Sequence, residues 1–309
     1  MAGKDLLSVH DLSVDEVYAI FEVAKTLKKK QQRGEEHHWL KGKTLGMIFQ
    51  KSSTRTRVSF EVGMWQLGGT ALFLNANDLQ IGRGEPVKDT ARVLARYLDG
   101  IMIRTYSHPD VMDLAQYADI PVVNGLTDLL HPCQALTDLF TALEHKGTLK
   151  GLKMAYLGDG NNMANALLHA CAKVGMNIAV AAPIGYEPHP VVVAEAQHAA
   201  LVHGSAVEIV NDPRAAAAGA DILYTDVWTS MGQETEQAIR YKAFQGFQIN
   251  REIMALARPD AIVMHCLPAH RGEEITEEVL EGPQSVVFDE AENRLHVQKA
   301  ILALLMGDQ

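Results

Sequence analysis

The chain has 309 residues, 47% hydrophobic and 21% charged, an ordinary globular composition sufficient for two domains or one large α/β domain. Lysine and arginine number 28 against 38 acidic residues, and the formal charge of −10 excludes general binding to nucleic acid or anionic membranes. Only Cys133, Cys171 and Cys266 are present, the first thirty residues lack the apolar core of a signal peptide, and no stretch reaches membrane-spanning length, so a soluble, cytoplasmic protein without a disulfide framework is expected.

Ser13-Val14-Asp15-Glu16 reads as a capping box opening an amphipathic helix through Val17, Ile20, Phe21, Ala24 and Leu27. Residues 28–38 are polar and read as a solvated connector. Thr44 to Phe49 has the length and β-content of a buried strand. Val58, Phe60, Val62, Met64, Trp65 and Leu67 read as the buried side of a helix ending at Gly68-Gly69. A strand at 70–75, a Gly/Pro-punctuated loop over 77–86, a helix at 89–97 and a strand at 100–104 follow. After a further helix come a strand at 121–125 and a helix from His131-Pro132 through Leu136, Leu139, Phe140 and Leu143. Residues 146–151 are the clearest candidate boundary. A second alternation has strands at 152–157, 177–182, 222–225, 261–264 and 285–288, a helix at 163–174, and a last helix with Ala300, Ile301, Leu304 and Leu305 on its apolar face. Such alternation predicts an α/β fold of two domains, each a parallel sheet flanked by helices, with the active site in the cleft between them. Ligands of parallel sheets gather beyond the carboxyl ends of the strands, where Arg104 falls.

The densest chemistry lies at Ser53-Thr54-Arg55-Thr56-Arg57, between a strand and a helix. Free backbone N–H groups and the positive end of the helix dipole point outward there, so an anion is favoured before any side chain contributes. A Ser or Thr before a helix is usually only a cap. Three hydroxyls interleaved with two arginines exceed what capping needs, and a phosphate or carboxylate ligand is expected.

Other segments are less specific. Gly158-Asp159-Gly160-Asn161-Asn162-Met163 mimics a dinucleotide fingerprint, but Met163 replaces the third glycine and the next strand ends in Ala181-Ala182-Pro183, with no acid to hold a ribose; a nicotinamide-dependent oxidoreductase is left as an outsider. Asn161 and Asn162 could meet a carboxylate, or could merely cap a tight turn. Asp226, at a strand end, could hold an ammonium group with Gly232 hinging a lid, or could simply cap the next turn. His265-Cys266-Leu267-Pro268 reads as buried filler, a reactive thiolate, or part of a zinc set with His131 and Cys133, although the spacings match no common zinc pattern. His131 at a helix start is either a satisfied terminal histidine or a neutral hydrogen-bonding imidazole with a depressed pKa.

Phe49-Gln50-Lys51-Ser52-Ser53-Thr54-Arg55-Thr56-Arg57 resembles the carbamoyl-phosphate signature of the aspartate/ornithine carbamoyltransferase family. That family more often has Glu at 50 and Pro at 52, and both departures lie outside the Ser-Thr-Arg-Thr core. Arg104, His131-Pro132-Cys133-Gln134, the Asp226 to Gly232 segment, His265-Cys266-Leu267-Pro268 and Glu292-Asn293-Arg294 follow in the family's order and approximate spacing. Ser230-Met231-Gly232 and Cys266 resemble the ornithine-specific members; aspartate-specific ones carry Pro at 266 and a lysine on the loop that holds Gln80.

The resemblance implies transfer of a carbamoyl group from carbamoyl phosphate to L-ornithine, without metal or organic cofactor, in a homotrimer. It implies a carbamoyl-phosphate-binding domain at 1–146, with a C-terminal helix at 291–309 packing back on it, and an ornithine-binding domain at 147–290. Ser53, Thr54, Arg55, Thr56, Gln80 from a neighbouring subunit, Arg104, His131, Gln134, Cys266, Leu267 and Arg294 would hold carbamoyl phosphate. Asn162, Asp226, Ser230 and Met231 would hold ornithine, and Arg104, His131, Cys266 and Asp226 would be catalytic. Putrescine or aspartate as acceptor, and a catalytically silent binding module, are the competing readings.

Overall fold

The computed structural model describes residues 1–307; the last two positions expected for the C-terminal helix, 308 and 309, lie outside the described residues. By packing, Met1–Thr137 and the chain from Asn293 onward form one unit, and Asp138–Glu292 form another. In chain order the first elements are α1 (Val14–Gln32), β1 (Thr44–Phe49), α2 (Thr54–Gln66), β2 (Thr70–Asn75), α3 (Val87–Leu94), β3 (Gly100–Arg104), α4 (His108–Tyr117) and β4 (Val122–Leu126). Then come α5 (Pro132–Lys146), β5 (Lys153–Leu157), α6 (Asn162–Lys173), β6 (Asn177–Ala181), α7 (Pro190–His203), β7 (Val207–Val210), α8 (Pro213–Ala217) and β8 (Ile222–Thr225). The chain ends with α9 (Gln237–Ala243), α10 (Arg251–Met254), β9 (Ile262–His265), α11 (Glu277–Leu280) and α12 (Val287–Met306). No helix among the described residues is long and apolar enough to cross a membrane.

Both sheets are parallel, as the alternation predicts. The first unit has strand order β2-β1-β3-β4 and the second β7-β6-β5-β8-β9. In each, the chain starts at a central strand, runs to one edge, then returns to the other side. The winding therefore reverses between β1 and β3 in the first sheet and between β5 and β8 in the second. At such a point the connections leave in opposite directions and open a crevice at the carboxyl ends of the two strands. Apolar strands explain the cores: Ile48, Ile101 and Ile103 pack with Val111 and Leu114 of α4, and Leu157, Leu223 and Val263 pack with Phe244 and Trp228. Burying each such side chain contributes roughly 1.5–3 kcal/mol.

Four local expectations are corrected. In α2, Phe60, Met64 and Leu67 are buried, but Val58 and Trp65 are 49% and 75% exposed. A period of 3.6 allows one stripe to face the sheet, and residues 58 and 65 lie on another. Residues 28–38 are a solvated connector only in part: 31–36 and 38 are exposed, but the rest is helical or packed. Helix α1 continues to Gln32, Lys28 Nζ donates to Asn293 Oδ1 at 2.7 Å, and His37 is buried against Lys299, 3.2 Å away. Residues 285–288 form no strand: Ser285 makes one isolated bridge to Val263, after which α12 begins at Val287. Finally, α7 to α11 and β7 were not predicted. Helix α7 has apolar residues on every face and hence no period, α8 to α11 run only four to seven residues, and β7 is a four-residue half-buried edge strand.

Candidate active site

In the first unit the site grows from the β1–α2 turn. Ser53 has extended backbone and caps α2, accepting from Thr56 N–H at 3.2 Å while its own hydroxyl donates to Thr56 Oγ1 at 3.1 Å. Thr56 is fully buried, and its Oγ1 also accepts from Arg294 Nη2 at 2.8 Å, so α12 delivers a guanidinium to the start of α2. A hydrogen bond from a charged donor contributes about 1.5–3 kcal/mol net. Phe49 pairs in register with Arg104, which places the last residue of β3 at the same sheet edge. The Arg104 carbonyl accepts from the N–H of Gln50 at 2.8 Å and of Lys51 at 3.4 Å, tying the turn to β3. Thr105 Oγ1 donates to Gln50 Oε1, so the glutamine at position 50 is part of this tie. Lys51 is buried, paired with Asp128 and 4.3 Å from the centre of the Tyr106 ring.

His131 and Gln134 open α5 and are buried. Burial, and then the charges of Arg294 and Arg104, hold the His131 pKa well below its ordinary value. The imidazole is therefore neutral at physiological pH, with one N–H and one lone pair. Among the described residues no group hydrogen-bonds its buried Nδ1, which suits a nitrogen meant for a ligand. Ser53 and Arg55 are half-buried and Thr54 is exposed, so the turn is open to a small anion. Gln80 lies exposed in the short 3₁₀ turn Gln80–Arg83.

In the second unit the site grows from the β5–α6 turn, where Gly158 has φ 148°, a conformation side chains disfavour. Asn161 caps α6, its Oδ1 accepting from Met163 and Ala164 N–H at 2.9 and 3.3 Å. The other end of the same amide, Nδ2, donates to Asp226 Oδ2 at 2.9 Å. Thr225 pairs in register with His265, so Asp226 and Cys266 leave β8 and β9 side by side. The Cys266 thiol donates to Asp226 Oδ1 at 3.1 Å. Burial, and then the Asp226 charge, push the Cys266 pKa well above its ordinary value, so the group is a thiol and not a nucleophilic thiolate. Asn162 begins α6 half-buried; Ser230 is half-buried and Met231 exposed on the loop after β8, where Ser230 N–H donates to Gln233 Oε1 at 3.0 Å.

Asp226, His265 and Cys266 lie close enough to suggest a metal. The donors do not suit one: His265 Nδ1 accepts from Leu267 N–H at 2.9 Å and its Nε2 faces Glu274 Oε1 at 3.0 Å, so no ring lone pair is left. Cys133 is equally unsuited. Its buried thiol points at Asn124 O, 3.5 Å away, and burial pushes its pKa up to about 12.

Three contacts escaped the sequence. Asn161 caps α6, one of the two readings of that turn, but its tie to Asp226 was not foreseen. A buried Arg240 donates from Nη1 to Asp159 Oδ2 at 2.8 Å and to Trp228 O at 3.1 Å, bracing the loop after β8 against the turn after β5. The third is the His265–Glu274 pair, both side chains fully buried. The first two join residues far apart in the chain, and the third spans nine residues across a strand end, a spacing with no periodic pattern that could have revealed it.

Fold and site together define the class: a doubly wound α/β protein of two units, with a donor-rich turn at the carboxyl end of one sheet and a carboxylate-bearing turn at the carboxyl end of the other. Comparison with known proteins narrows this. Residues 4–144 match the aspartate/ornithine carbamoyltransferase carbamoyl-P binding domain, and residues 150–305 match the Asp/Orn binding domain of the same family. The ornithine carbamoyltransferase of Symbiobacterium thermophilum is 59% identical, over 99% of both chains. The anabolic ornithine carbamoyltransferase of Pyrococcus furiosus is 56% identical over 99% of this chain and 98% of its own. A solved structure of the Pyrococcus furiosus ornithine carbamoyltransferase superposes with a TM-score of 0.96 at 56% identity, covering 99% of this chain and 97% of that one. The Thermus thermophilus enzyme of the same name gives a TM-score of 0.87 at 44% identity, with 98% of each chain covered. The chain belongs to the aspartate/ornithine carbamoyltransferase family.

Proposed function

We propose that the chain transfers the carbamoyl group of carbamoyl phosphate to the δ-amine of L-ornithine, giving L-citrulline and phosphate. The observation that carries the choice of acceptor is the Cys266 thiol resting 3.1 Å from Asp226 Oδ1, with Asn161 on the other carboxylate oxygen. That arrangement suits an amino acid bearing a second amine. In this reading residues 1–146 with the C-terminal helix bind carbamoyl phosphate and residues 147–290 bind ornithine.

Phosphate leaves readily if its growing charge is met in place. The α2 terminus with Ser53, Thr54, Arg55, Thr56 and Arg104 supplies that charge without reorganising. Arg104, Thr56 and the neutral His131 polarise the carbamoyl oxygen, Gln134 holds the amide end, and Arg294, Cys266 and Leu267 line the group. Gln80 reaches the phosphate of a neighbouring subunit in a homotrimer. On the acceptor, Asn162 takes the α-carboxylate, while Asp226, Ser230 and Met231 surround the α-amino group. The δ-amine attacks only when neutral, and free alkyl amines hold their proton to about pH 10. Cys266 therefore orients the neutral amine, and holding both substrates together turns a bimolecular attack into a positioned one. A cytoplasmic role in arginine biosynthesis completes this reading, supported by the relative whose name calls it anabolic.

Purified protein supplied with carbamoyl phosphate and a panel of ornithine, putrescine and aspartate tests this. Citrulline as the dominant product is expected. Carbamoylputrescine or carbamoylaspartate in its place would overturn the choice of acceptor.

A further inference from the structure

His265 sits where β9 ends, immediately before Cys266 and Leu267. Its side chain and that of Glu274 are both fully buried. The Leu267 N–H donates to His265 Nδ1 at 2.9 Å, which places the ring proton on Nε2, 3.0 Å from Glu274 Oε1. The backbone N–H of His265 is itself held by Glu290 Oε2 at 2.9 Å. Leu267 has φ 57°, the only positive φ outside glycine among the described residues. Side chains adopt that conformation only when their surroundings enforce it, and such residues cluster where function needs a fixed backbone.

We infer that His265 is a positioning residue, locked in one tautomer by Glu274, that ties down the Leu267 amide and thereby fixes the Cys266–Leu267 segment against the reacting carbamoyl group. This rests on the carbamoyl-transfer reading above. The competing account is that the imidazole merely gives buried Glu274 a partner. The two accounts make opposite demands on substitution. Asparagine presents Oδ1 near the place of Nδ1 and can keep the Leu267 amide, whereas glutamine reaches toward the place of Nε2 and can keep only Glu274.

The test compares His265→Asn with His265→Gln, reading citrulline kinetics, melting temperature and hydrogen exchange at the Leu267 amide. In His265→Asn the amide stays protected and kcat stays within about threefold of the parent, whereas in His265→Gln protection is lost and kcat falls roughly 100-fold, as a misplacement of about 1 Å at a reacting centre costs. Equal kcat in the two variants, or the reverse order, overturns the inference. If His265→Asn fails to fold because Glu274 has lost the imidazole and keeps only the His270 N–H, adding Glu274→Gln removes that charge and the comparison is made between His265→Asn and His265→Gln in that background. The exchange measurement needs no substrate. Absence of citrulline from the parent protein would thus count against the reaction, and unprotected Leu267 in the parent against the tie.

Discussion

The turn from β1 into α2 and the turn from β5 into α6 hold the same place in their sheets and have opposite character. Each lies at the carboxyl end of a central parallel strand, where the winding of its sheet reverses, and each begins a helix capped by a short polar residue. The first is surrounded by donors, with Arg294 on Thr56 and Arg104 on the adjacent strand. The second is surrounded by acids, with Asp226 on Asn161 and Asp159 on Arg240. The backbone and helix dipole favour an anion at both. What differs is the residue at the end of the neighbouring strand: an arginine closing β3, an aspartate just after β8. The fold provides the place in both, and the neighbouring strand end sets the charge beside it.

Removing the charge from the first turn tests that contrast most severely. Arg55→Gly is expected to lower kcat/KM by roughly 10³-fold, the upper range for losing one preorganised donor, with much weakened carbamoyl-phosphate binding and little change in melting temperature. Unaltered kinetics would dismiss this turn as the phosphate site. Loosening the second turn should be selective. Arg240→Met together with Asp159→Asn, which avoids stranding a buried carboxylate, is expected to raise the KM for ornithine about 30-fold, near 2 kcal/mol, and to leave the KM for carbamoyl phosphate unchanged. Equal effects on both constants would mean that the pair holds the unit together rather than the loop. Cys266→Ala should be milder: roughly tenfold in the KM for ornithine, the cost of one hydrogen bond, with a shifted pH profile. Trapping an acyl-thioester in the parent protein would contradict the role of a protonated thiol.

The smallest effect concerns acid. Burial is the first cause of the depressed pKa values of His131 and His296 in the first unit, the latter brought down to about 3. The unfolded chain takes up these protons below about pH 6.5 and the folded one does not, so their contribution is present above that value and is lost as the pH falls. Burial raises the Asp159 carboxyl of the second unit to about 6 despite its pairing with Arg240. Here the folded state holds a proton that the unfolded state, at about 4, has released, so acidification through 6 adds stability. Hydrogen exchange at pH 5 against pH 7 should therefore show protection falling in the first unit relative to the second. Equal changes would contradict the assigned shifts.

Much of this molecule is local and was readable as such. The capping box at Ser13 and Glu16 forms with both of its hydrogen bonds, Ser53 caps α2, and the apolar strands pair in parallel as their alternation with helices requires. The donor-rich turn at Ser53–Arg57 was readable because its chemistry lies within five consecutive residues. What could not be read depends on pairing between distant positions. Arg240 looks like one more surface charge until the fold brings it to Asp159, and His265, though its partners are only two and nine residues away, resembles core filler until Leu267 and Glu274 fix its tautomer. Val58 and Trp65 look like core residues because apolar character is a property of the chain, whereas which stripe of a helix meets a sheet is set by packing. Composition, periodicity and capping act over one or two helical turns, and so they specified the elements and the anion turn. The register that sets Asp226 beside Cys266, and the buried pairs that brace the second turn, exist only once strands far apart in sequence lie side by side.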